Sequence, residues 1–476
     1  MSKLFCFALS LMLAASITHA ASENTTTFKD QQEVAVTIYN QNLALVKDTR
    51  KVRLVNGEDR LAWRDVSAQI RPETALLRNL THPTGFFLVE QNFDFDLLTP
   101  QKLLEKYVGK SVTILRSHPT SGADQREDAV VLATNNGVVL KYADRIETGV
   151  PGRIAYNSVP DNLRDRPTLV VSLNAAQAAT DTLELSYLTA GLGWHADYVA
   201  ELSKNDDTLD LNAWVTLTNT SGASYQNAKL QLVAGDVNRV KSDMGMQVGH
   251  LENRLMDVSK AKEMTAENLF EYHLYTLGRP TTIAENQTKQ VALMSAANIP
   301  VSKEFLLRGA EYYYQSSYGD IGQKMKVGAF VEFENKGTGL GIPLPKGTMR
   351  VYKKDSAGNA QFVGEDSIDH TPKNETVRLK LGDAFDVTAD KKQTSFEKIG
   401  GDSRYNYIAD VAFEVMLKNA KDVPIKVKVM EPIPGDWKML STSQPHEKAA
   451  SNTAVWLVDV PANGKAKLTY KVRVRF

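Results

Sequence analysis

Apolar and polar residues alternate with a period of two along most of the chain. Short runs rich in Val, Ile, Tyr, Thr and Phe are separated by Gly, Asn and Asp, and this pattern predicts half-buried β-strands. In the N-terminal half the runs are VAVTIY (34–39), GFFLVEQ (85–91), SVTILR (111–116), AVVLATNNGVVLKY (129–142), TLVVSL (168–173), TLELSYL (182–188) and LNAWVTLTN (211–219). Asn136-Gly137 lies between two apolar runs and suits a tight hairpin turn with positive φ. We therefore expect mostly antiparallel strands.

One helix is predicted within this β-rich N-terminal portion. Thr99 is a suitable N-cap, and Pro100 fits the first helical position. Apolar residues with helical spacing follow, and Gly109 is placed to end the helix. The N-terminal portion is therefore expected to be β-rich with a short helix.

From about residue 325 the alternation returns in strands separated by turn residues, which is the spacing of an antiparallel β-sandwich. Residues 241–268 differ, because they are polar, contain several Met and Lys, and show no firm period. We interpret them as a mobile insertion or an exposed helix. The predicted domains are an N-terminal β-rich domain (28–189) and a C-terminal β-sandwich region (190–476).

The first twenty residues, MSKLFCFALSLMLAASITHA, have the features of a secretory signal peptide. Lys3 precedes an apolar run, and small residues lie near the end of the segment. Residues 21–27 would then form a linker. The only cysteine, Cys6, lies inside this signal. Since large exported eukaryotic domains usually carry disulfides, a cysteine-free mature chain favours a bacterial periplasmic, outer-membrane-surface or extracellular protein.

The charges of the chain balance, with 56 Lys and Arg against 56 Asp and Glu. Because phosphate binding requires a concentrated positive face, we expect no nucleic-acid partner. No apolar run of spanning length follows the signal, so we expect no transmembrane segment in the mature chain.

Several longer stretches occur together in this chain: IYNQNLALVKDTR (38–50), GLGWHADYVAEL (191–202), LVAGDVNRV (232–240), FEYHLYTLGRPTTI (270–283), LGIPLPKGTMRVYKKDSAG (340–358), GEDSIDHTPKNETVRLKLGDAFDV (364–387) and WLVDVPANGKAKLTYKVRVRF (456–476). They resemble, in this order, the bacterial domain of unknown function 4139 family, distant relatives of proteins labelled mucoidy inhibitors. The resemblance spans nearly the whole mature chain. It implies envelope or exopolysaccharide biology, and it provides neither an activity nor catalytic residues.

The densest group of chemically active side chains lies in VGEDSIDHTPKNETVRL (363–379). If residues 362–370 and 375–383 pair as a hairpin, His370 faces Glu375, while the other acids are divided between the two faces. Asp366 and His370 would lie on one face, but about 13 Å apart, too far for a shared ion. His370 with Glu375 is therefore the one pair that this segment offers, and a structural or solvated role is favoured.

Two further sites are weak candidates. His195 and Asp197 share one face of a strand, opposite Trp194 and Tyr198, and two such side chains would form half of a metal site. His273 lies in an aromatic-rich strand and would become a candidate catalyst only beside a carboxylate or serine from another strand. For both sites we favour packing or solvated roles.

No complete catalytic motif is present in the chain. The Gly-rich KGTGLG (336–341) leads into IPLPKG rather than a helix, so we predict a loop with positive-φ glycines instead of a dinucleotide site. MGMQVGH (244–250) offers soft ligands that would suit periplasmic copper, although the pattern has low specificity. We accordingly assign no catalytic, metal or cofactor-binding residue and expect no cofactor.

The expected function is a non-catalytic binding or structural component of the envelope, with an unknown envelope protein or glycan as its partner. An alternative is a hydrolase or lyase acting on envelope polysaccharide, with carboxylates contributed by several strands. Periplasmic metal handling is a minor alternative.

Overall fold

The computed structural model describes residues 23–40, 42–94, 96–118, 122–160, 163–235, 264–401 and 403–476. These residues form thirty-one strands and one α-helix, which confirms the mainly β fold. None of the helices in these ranges is long and apolar enough to cross a membrane. The predicted signal peptide (1–20) and the segment MGMQVGH (244–250) lie outside the described residue ranges.

Many of the strands up to residue 189 alternate between buried and more exposed positions, as the sequence predicts. They are β1 (Asn24–Thr26), β2 (Gln31–Tyr39), β3 (Leu43–Leu54), β4 (Gly57–Arg64), β5 (Leu76–Asn79), β6 (Phe86–Asp94), β7 (Ser111–Ser117), β8 (Asp124–Ala133), β9 (Val139–Lys141), β10 (Ile146–Thr148), β11 (Arg153–Ala155), β12 (Thr168–Ala175) and β13 (Ala179–Thr189). Residues 24–26, which were expected to belong to a linker, instead form β1 and pair in parallel with β4.

The strands after residue 189 are longer on average and continue to the end of the chain. They are β14 (Leu192–Leu202), β15 (Thr208–Asn219), β16 (Tyr225–Ala234), β17 (Thr265–Leu269), β18 (Tyr272–Thr276), β19 (Thr281–Ile283), β20 (Gln287–Pro300), β21 (Ser302–Arg308), β22 (Asp320–Glu334), β23 (Gly347–Lys354), β24 (Ala360–Ile368), β25 (Thr376–Gly400), β26 (Ile408–Asn419), β27 (Ile425–Pro432), β28 (Asp436–Thr442), β29 (Glu447–Ala450), β30 (Thr453–Val460) and β31 (Gly464–Arg475). Within the insertion predicted at 241–268, the described residues include most of the edge strand β17.

The strands form five sheets, which we name by position. The N-terminal sheet has the order β1-β4-β12-β6 and the small sheet β10-β9-β8-β7-β11. The central sheet has the order β17-β18-β16-β2-β3-β13-β5, with β19 on β16. The outer sheet has the order β20-β15-β14-β23-β24, and the C-terminal sheet β28-β31-β26-β25-β22-β21-β27-β30-β29.

The central sheet combines strands from both predicted regions, 28–189 and 190–476. Its β16 pairs in parallel with β2, and β2 pairs with β3 in the antiparallel sense. Side chains of the central, N-terminal and outer sheets share one continuous hydrophobic core. The end of β22 and the start of β25, both in the C-terminal sheet, also contribute to this core. The rest of the C-terminal sheet has a second core, and the small sheet has a third.

The small sheet confirms the two most local predictions. Helix α1 (Pro100–Lys106) begins where expected, and the Thr99 hydroxyl accepts a hydrogen bond from the Lys102 N–H at 3.1 Å. Strands β8 and β9 form the predicted hairpin, with Asn136 and Gly137 both at positive φ. In the outer sheet's connections, Gly337, Gly339 and Gly341 also have positive φ, as the KGTGLG pattern predicts.

Three buried asparagine side chains fix the ends of long strands. Asn219 ends β15, Asn335 directly follows β22, and Asn419 ends β26. The side-chain N–H groups of Asn419 donate to the carbonyls of Val423, Val460 and Pro461, and its Oδ1 accepts from the Lys421 N–H. Asn219 and Asn335 likewise donate to three carbonyls each. Each amide therefore satisfies carbonyl groups that the turning chain leaves without ladder partners.

We predict that Asn419→Ala lowers the free energy of unfolding by about 2 kcal/mol, because several buried backbone groups lose their partner at once. Urea unfolding followed by tryptophan fluorescence measures the change, since Trp437 and Trp456 lie in the same core. Asn92→Ala is the control, because Asn92 is exposed and bonds to Glu90 on the surface. Equal stability of the two variants would contradict the role assigned to Asn419.

Candidate functional site

A row of hydrogen-bonded polar side chains crosses the outer sheet from edge to edge. We call it the polar ladder, and it comprises Gln290, Thr216, Asp197, Arg350 and Glu365. The Gln290 amide donates to the Thr216 hydroxyl at 3.1 Å, and that hydroxyl donates to Asp197 Oδ2 at 2.5 Å. Arg350 donates to Asp197 Oδ1 at 2.9 Å and lies 3.2 Å from Glu365 Oε2. One residue from each of the five strands thus takes part.

The alternation of β14 explains how Asp197 reaches this row. Trp194, Ala196 and Tyr198 point into the shared core, so His195 and Asp197 point to the opposite face. Asp197 is nevertheless only 5% exposed, because side chains from the adjacent strands cover it. A carboxylate buried in this way needs several donors, and the polar ladder supplies them.

The charged groups at the middle of the polar ladder are Asp197 and Arg350. Burial alone would raise the pKa of Asp197, but hydrogen bonds from His195, Thr216 and Arg350 outweigh it and hold the pKa well below its ordinary value. The same bond to Asp197 raises the pKa of Arg350. The two groups therefore stay charged across the physiological range of pH.

The predicted shared face of His195 and Asp197 is present, with His195 Nε2 lying 3.1 Å from Asp197 Oδ2. The imidazole is largely exposed, at 59% of its side-chain surface. A nucleophilic triad requires the hydroxyl to bond to the imidazole, whereas Thr216 bonds to the carboxylate instead. The arrangement supports a structural contact between His195 and Asp197 rather than an activated nucleophile.

Aromatic side chains lie beside the polar ladder on the same outer face. Trp214 is the cross-strand neighbour of Asp197, and Tyr352 follows two residues after Arg350. Phe362 is the cross-strand neighbour of Tyr352, with ring centroids 5.7 Å apart, and is 56% exposed. The face thus presents apolar rings next to fixed charges and amides, a composition typical of binding surfaces.

The predicted hairpin around His370 and Glu375 is wrong. Strand β24 pairs with β23 in the outer sheet, whereas β25 pairs with β22 in the C-terminal sheet. His370 Nδ1 accepts the Lys346 N–H at 3.1 Å, and the backbone carbonyl of Glu375 accepts the Asn335 N–H at 2.8 Å. The segment between β24 and β25 therefore crosses between two sheets instead of turning within one.

Asp366 has a structural role at this crossing. Its Oδ2 accepts the backbone N–H of Lys380 at 2.8 Å, and its Oδ1 accepts that of Ser367 at 2.9 Å. Gly364 lies nearby at positive φ, where a Cβ would collide with the Leu381 backbone. The two sheets are therefore joined closely here, and the acids of this segment do not converge on a site.

The remaining weak candidate, His273, has no catalytic group among its cross-strand neighbours in the described part of the chain. His273 in β18 lies opposite Ala234 of β16 and Asn268 of β17, so neither neighbour places a carboxylate or hydroxyl directly across from it. In the described ranges no three His, Cys, Asp or Glu side chains form a group that could hold a metal ion.

A cleft of about 250 Å³ lies between the outer and C-terminal sheets. Asp206 in its wall bonds to both Lys303 and Lys353, the first at 2.9 Å and the second at 2.5 Å. Both lysines are paired with the same carboxylate, that of Asp206. The volume of the cleft is also below that of most ligand pockets. The exposed face with the polar ladder is therefore the stronger candidate site.

Sequence reasoning missed most of the polar ladder. It found His195 and Asp197 from alternation, but Thr216, Arg350 and Glu365 come from strands whose pairing the alternation does not specify. Arg350 meets Asp197 only because β23 pairs in parallel with β14 across a gap of about 150 positions. No local signal in TMRVYKKD indicates that partner.

Residues 183–476 match one protein-family model, described as domain of unknown function (DUF4139). No curated protein matches the chain significantly. The matched range includes the entire polar ladder and the C-terminal sheet. The description names no activity, so the family match adds no catalytic or binding residue.

We predict that Asp197→Asn lowers the free energy of unfolding by about 2 kcal/mol at pH 7, because Arg350 and His195 lose a charged acceptor. Asp197 has a depressed pKa in the folded chain, so its contribution is present above the unfolded pKa of about 4 and declines as the pH falls below it. The difference between wild type and variant should therefore shrink in acid.

Unfolding by denaturant at pH 7 and at pH 3 measures this difference. Asp459→Asn is the control, because the Asp459 side chain is 83% exposed in its pair with Lys426. A pH-independent difference for Asp197→Asn would contradict the assignment.

Proposed function

The chain belongs to the DUF4139 family, and from the geometry of its outer sheet we propose that it is a non-catalytic binding component of the bacterial cell envelope. The observation that carries the proposal is the open face on which the polar ladder lies beside Trp214, Tyr352 and Phe362. The family description leaves the activity open, so the proposal rests on this face.

The proposed partner is an envelope glycan. Sugar rings combine apolar C–H faces with many hydroxyl groups, and the face offers aromatic rings beside charged and amide groups that match both. Asn212 and Ser295 extend the polar positions, with the Ser295 hydroxyl donating to Asn212 at 2.8 Å. A sheet face of this kind suits an extended polymer better than a small molecule, because it is open rather than concave.

The proposed location rests on the first twenty residues, whose Lys3, apolar run and small terminal residues match a secretory signal. The absence of cysteine after residue 6 fits a bacterial exported chain better than a eukaryotic one. We infer that the protein is located beyond the inner membrane, in the periplasm, on the outer-membrane surface or in the medium.

The enzymatic alternative has less support. A glycoside hydrolase needs a carboxylic acid whose pKa is raised, so that it can donate a proton. Among the described carboxyl groups whose pKa departs from the ordinary value, the change is a decrease, as for Asp197, Asp206 and Glu304. Metal handling, the minor alternative, depends on residues 244–250, which lie outside the described ranges, and metal analysis of periplasmic protein tests it.

We predict that Tyr352→Ala combined with Phe362→Ala weakens glycan binding by about tenfold or more, as loss of aromatic anchors commonly does. These substitutions leave the hydrogen bonds of the polar ladder in place. The measurement is co-sedimentation and calorimetry with purified peptidoglycan and exopolysaccharide. Arg350→Ala should weaken binding as well, because it removes the central donor.

The matched control for Arg350→Ala is Arg473→Ala. Arg473 also donates to a buried aspartate, Asp410, but on the C-terminal sheet. Its loss should leave glycan binding unchanged. Binding that survives in the aromatic variant, or a wild-type chain that captures an envelope protein and no glycan, would overturn the proposal.

A further inference from the structure

A lysine and a glutamate meet inside the core of the C-terminal sheet. Lys391 Nζ lies 2.6 Å from Glu431 Oε2, and the two side chains are 1% and 0% exposed. Lys391 belongs to β25 and Glu431 to β27, which are separated in the sheet by β22 and β21. The side chains touch because the sheet folds over on itself, so the contact spans its core.

Aromatic side chains enclose the lysine. Nζ lies 4.5 Å from the ring centroid of Tyr313 and 4.8 Å from that of Phe413. The Tyr470 ring is 5.9 Å away. These distances indicate cation–π contact with the ammonium form, and they leave little space for water around the nitrogen.

The two oxygens of Glu431 have unequal surroundings. Oε2 receives both Lys391 Nζ and the Tyr314 hydroxyl, which donates at 3.0 Å. Oε1 is buried and has no hydrogen-bond partner among the described residues. Gly309 leaves space for the carboxylate, because a Cβ at that position would collide with it. An unpaired buried carboxylate oxygen is unfavourable and is rarely retained without a reason.

A buried ion pair of this kind is expensive to maintain. Removing both charges from water costs more than their attraction returns in many proteins. Burial lowers the pKa of the Lys391 ammonium, with the Glu431 carboxylate opposing the change. The uncharged amine, which is the nucleophilic form of lysine, therefore forms more readily here than it does in a lysine at the surface.

We propose that Lys391 and Glu431 join through an intramolecular amide bond. Since Oε2 is bonded to Cδ, Nζ lies within about 4 Å of the carbon that it attacks, close to a reactive separation. The Nζ–Cδ bond forms, and the Cδ–Oε1 bond breaks. The ammonium gives two of its three protons to Oε1, which leaves as water, so no oxidant or co-reactant is needed.

Tyr314 has a defined part in this step. Its hydroxyl bonds to Oε2, the oxygen that becomes the amide carbonyl, and stabilises the negative charge that develops there during attack. The unpaired Oε1 is the oxygen that is lost. The product thus keeps Oε2, which is hydrogen-bonded, and loses Oε1, which has no hydrogen-bond partner among the described residues. Both buried charges are removed at the same time.

The amide would tie β25 to β27 and close a covalent loop from residue 391 to residue 431. Such a cross-link stabilises a fold by restricting the unfolded chain, as a disulfide does. The chain has one cysteine, Cys6, so a disulfide cannot form within it. The inference is independent of the proposed glycan binding, because it concerns a different sheet.

The test is mass spectrometry of the full chain purified after expression and then denatured. We expect an intact mass lower by one water molecule than the processed sequence requires. Tryptic digestion should yield a branched peptide that joins Lys391 to Glu431, with no cleavage after Lys391. A full mass, or a water loss that maps to other residues, would overturn the proposal.

Two variants locate the bond. Lys391→Met should regain the full mass expected for its composition, whereas a persistent water loss would overturn the proposal. Lys392→Met is the matched control, because Lys392 is exposed and pairs with Glu414 at 2.9 Å. It should keep the water deficit and the branched peptide. The wild-type measurement is decisive even if Lys391→Met fails to fold, since all masses are taken on denatured chains.

Discussion

Satisfaction of buried backbone groups where strands end is the constraint on which this fold depends. A chain built from long strands in five sheets must repeatedly leave one sheet and enter another, and each crossing exposes carbonyls to a dry core. Asn219 and Asn335 satisfy carbonyls at two of these crossings, and Asn419 does the same at the connection between β26 and β27 within the C-terminal sheet. They lie at the ends of β15, β22 and β26, where the backbone leaves the ladder of hydrogen bonds.

The arrangement of the outer sheet depends on one of these crossings. Asn335 donates to carbonyls in the connections that precede β23 and β25, so it helps to set the position at which β23 meets β14. That parallel pairing brings Arg350 to Asp197. Without Arg350, a carboxylate that is nearly inaccessible to water would lose its guanidinium donor, and the hydrogen bonds of the polar ladder would be interrupted between β14 and β23.

Two ionic arrangements in the molecule differ in their surroundings and therefore in their chemistry. In the polar ladder, a guanidinium holds two carboxylates on an open face, where water and a partner can approach. In the C-terminal core, a lysine and a glutamate are enclosed by aromatic rings. The first environment keeps charges available for recognition, whereas the second favours loss of charge.

Local features of this fold are encoded in short stretches of the chain. Period-two alternation located the strands, and the cap and turn residues placed α1 and the β8–β9 hairpin. The same alternation indicates that Lys391 follows Val387 and Ala389 inward, and that Glu431 follows Val427 and Val429. The pairing of strands could not be predicted in this way, because alternation assigns a side chain to a face and carries no information about the strand beside it. For that reason the predicted His370 hairpin failed, whereas the shared face of His195 and Asp197, two residues apart on one strand, was correctly predicted.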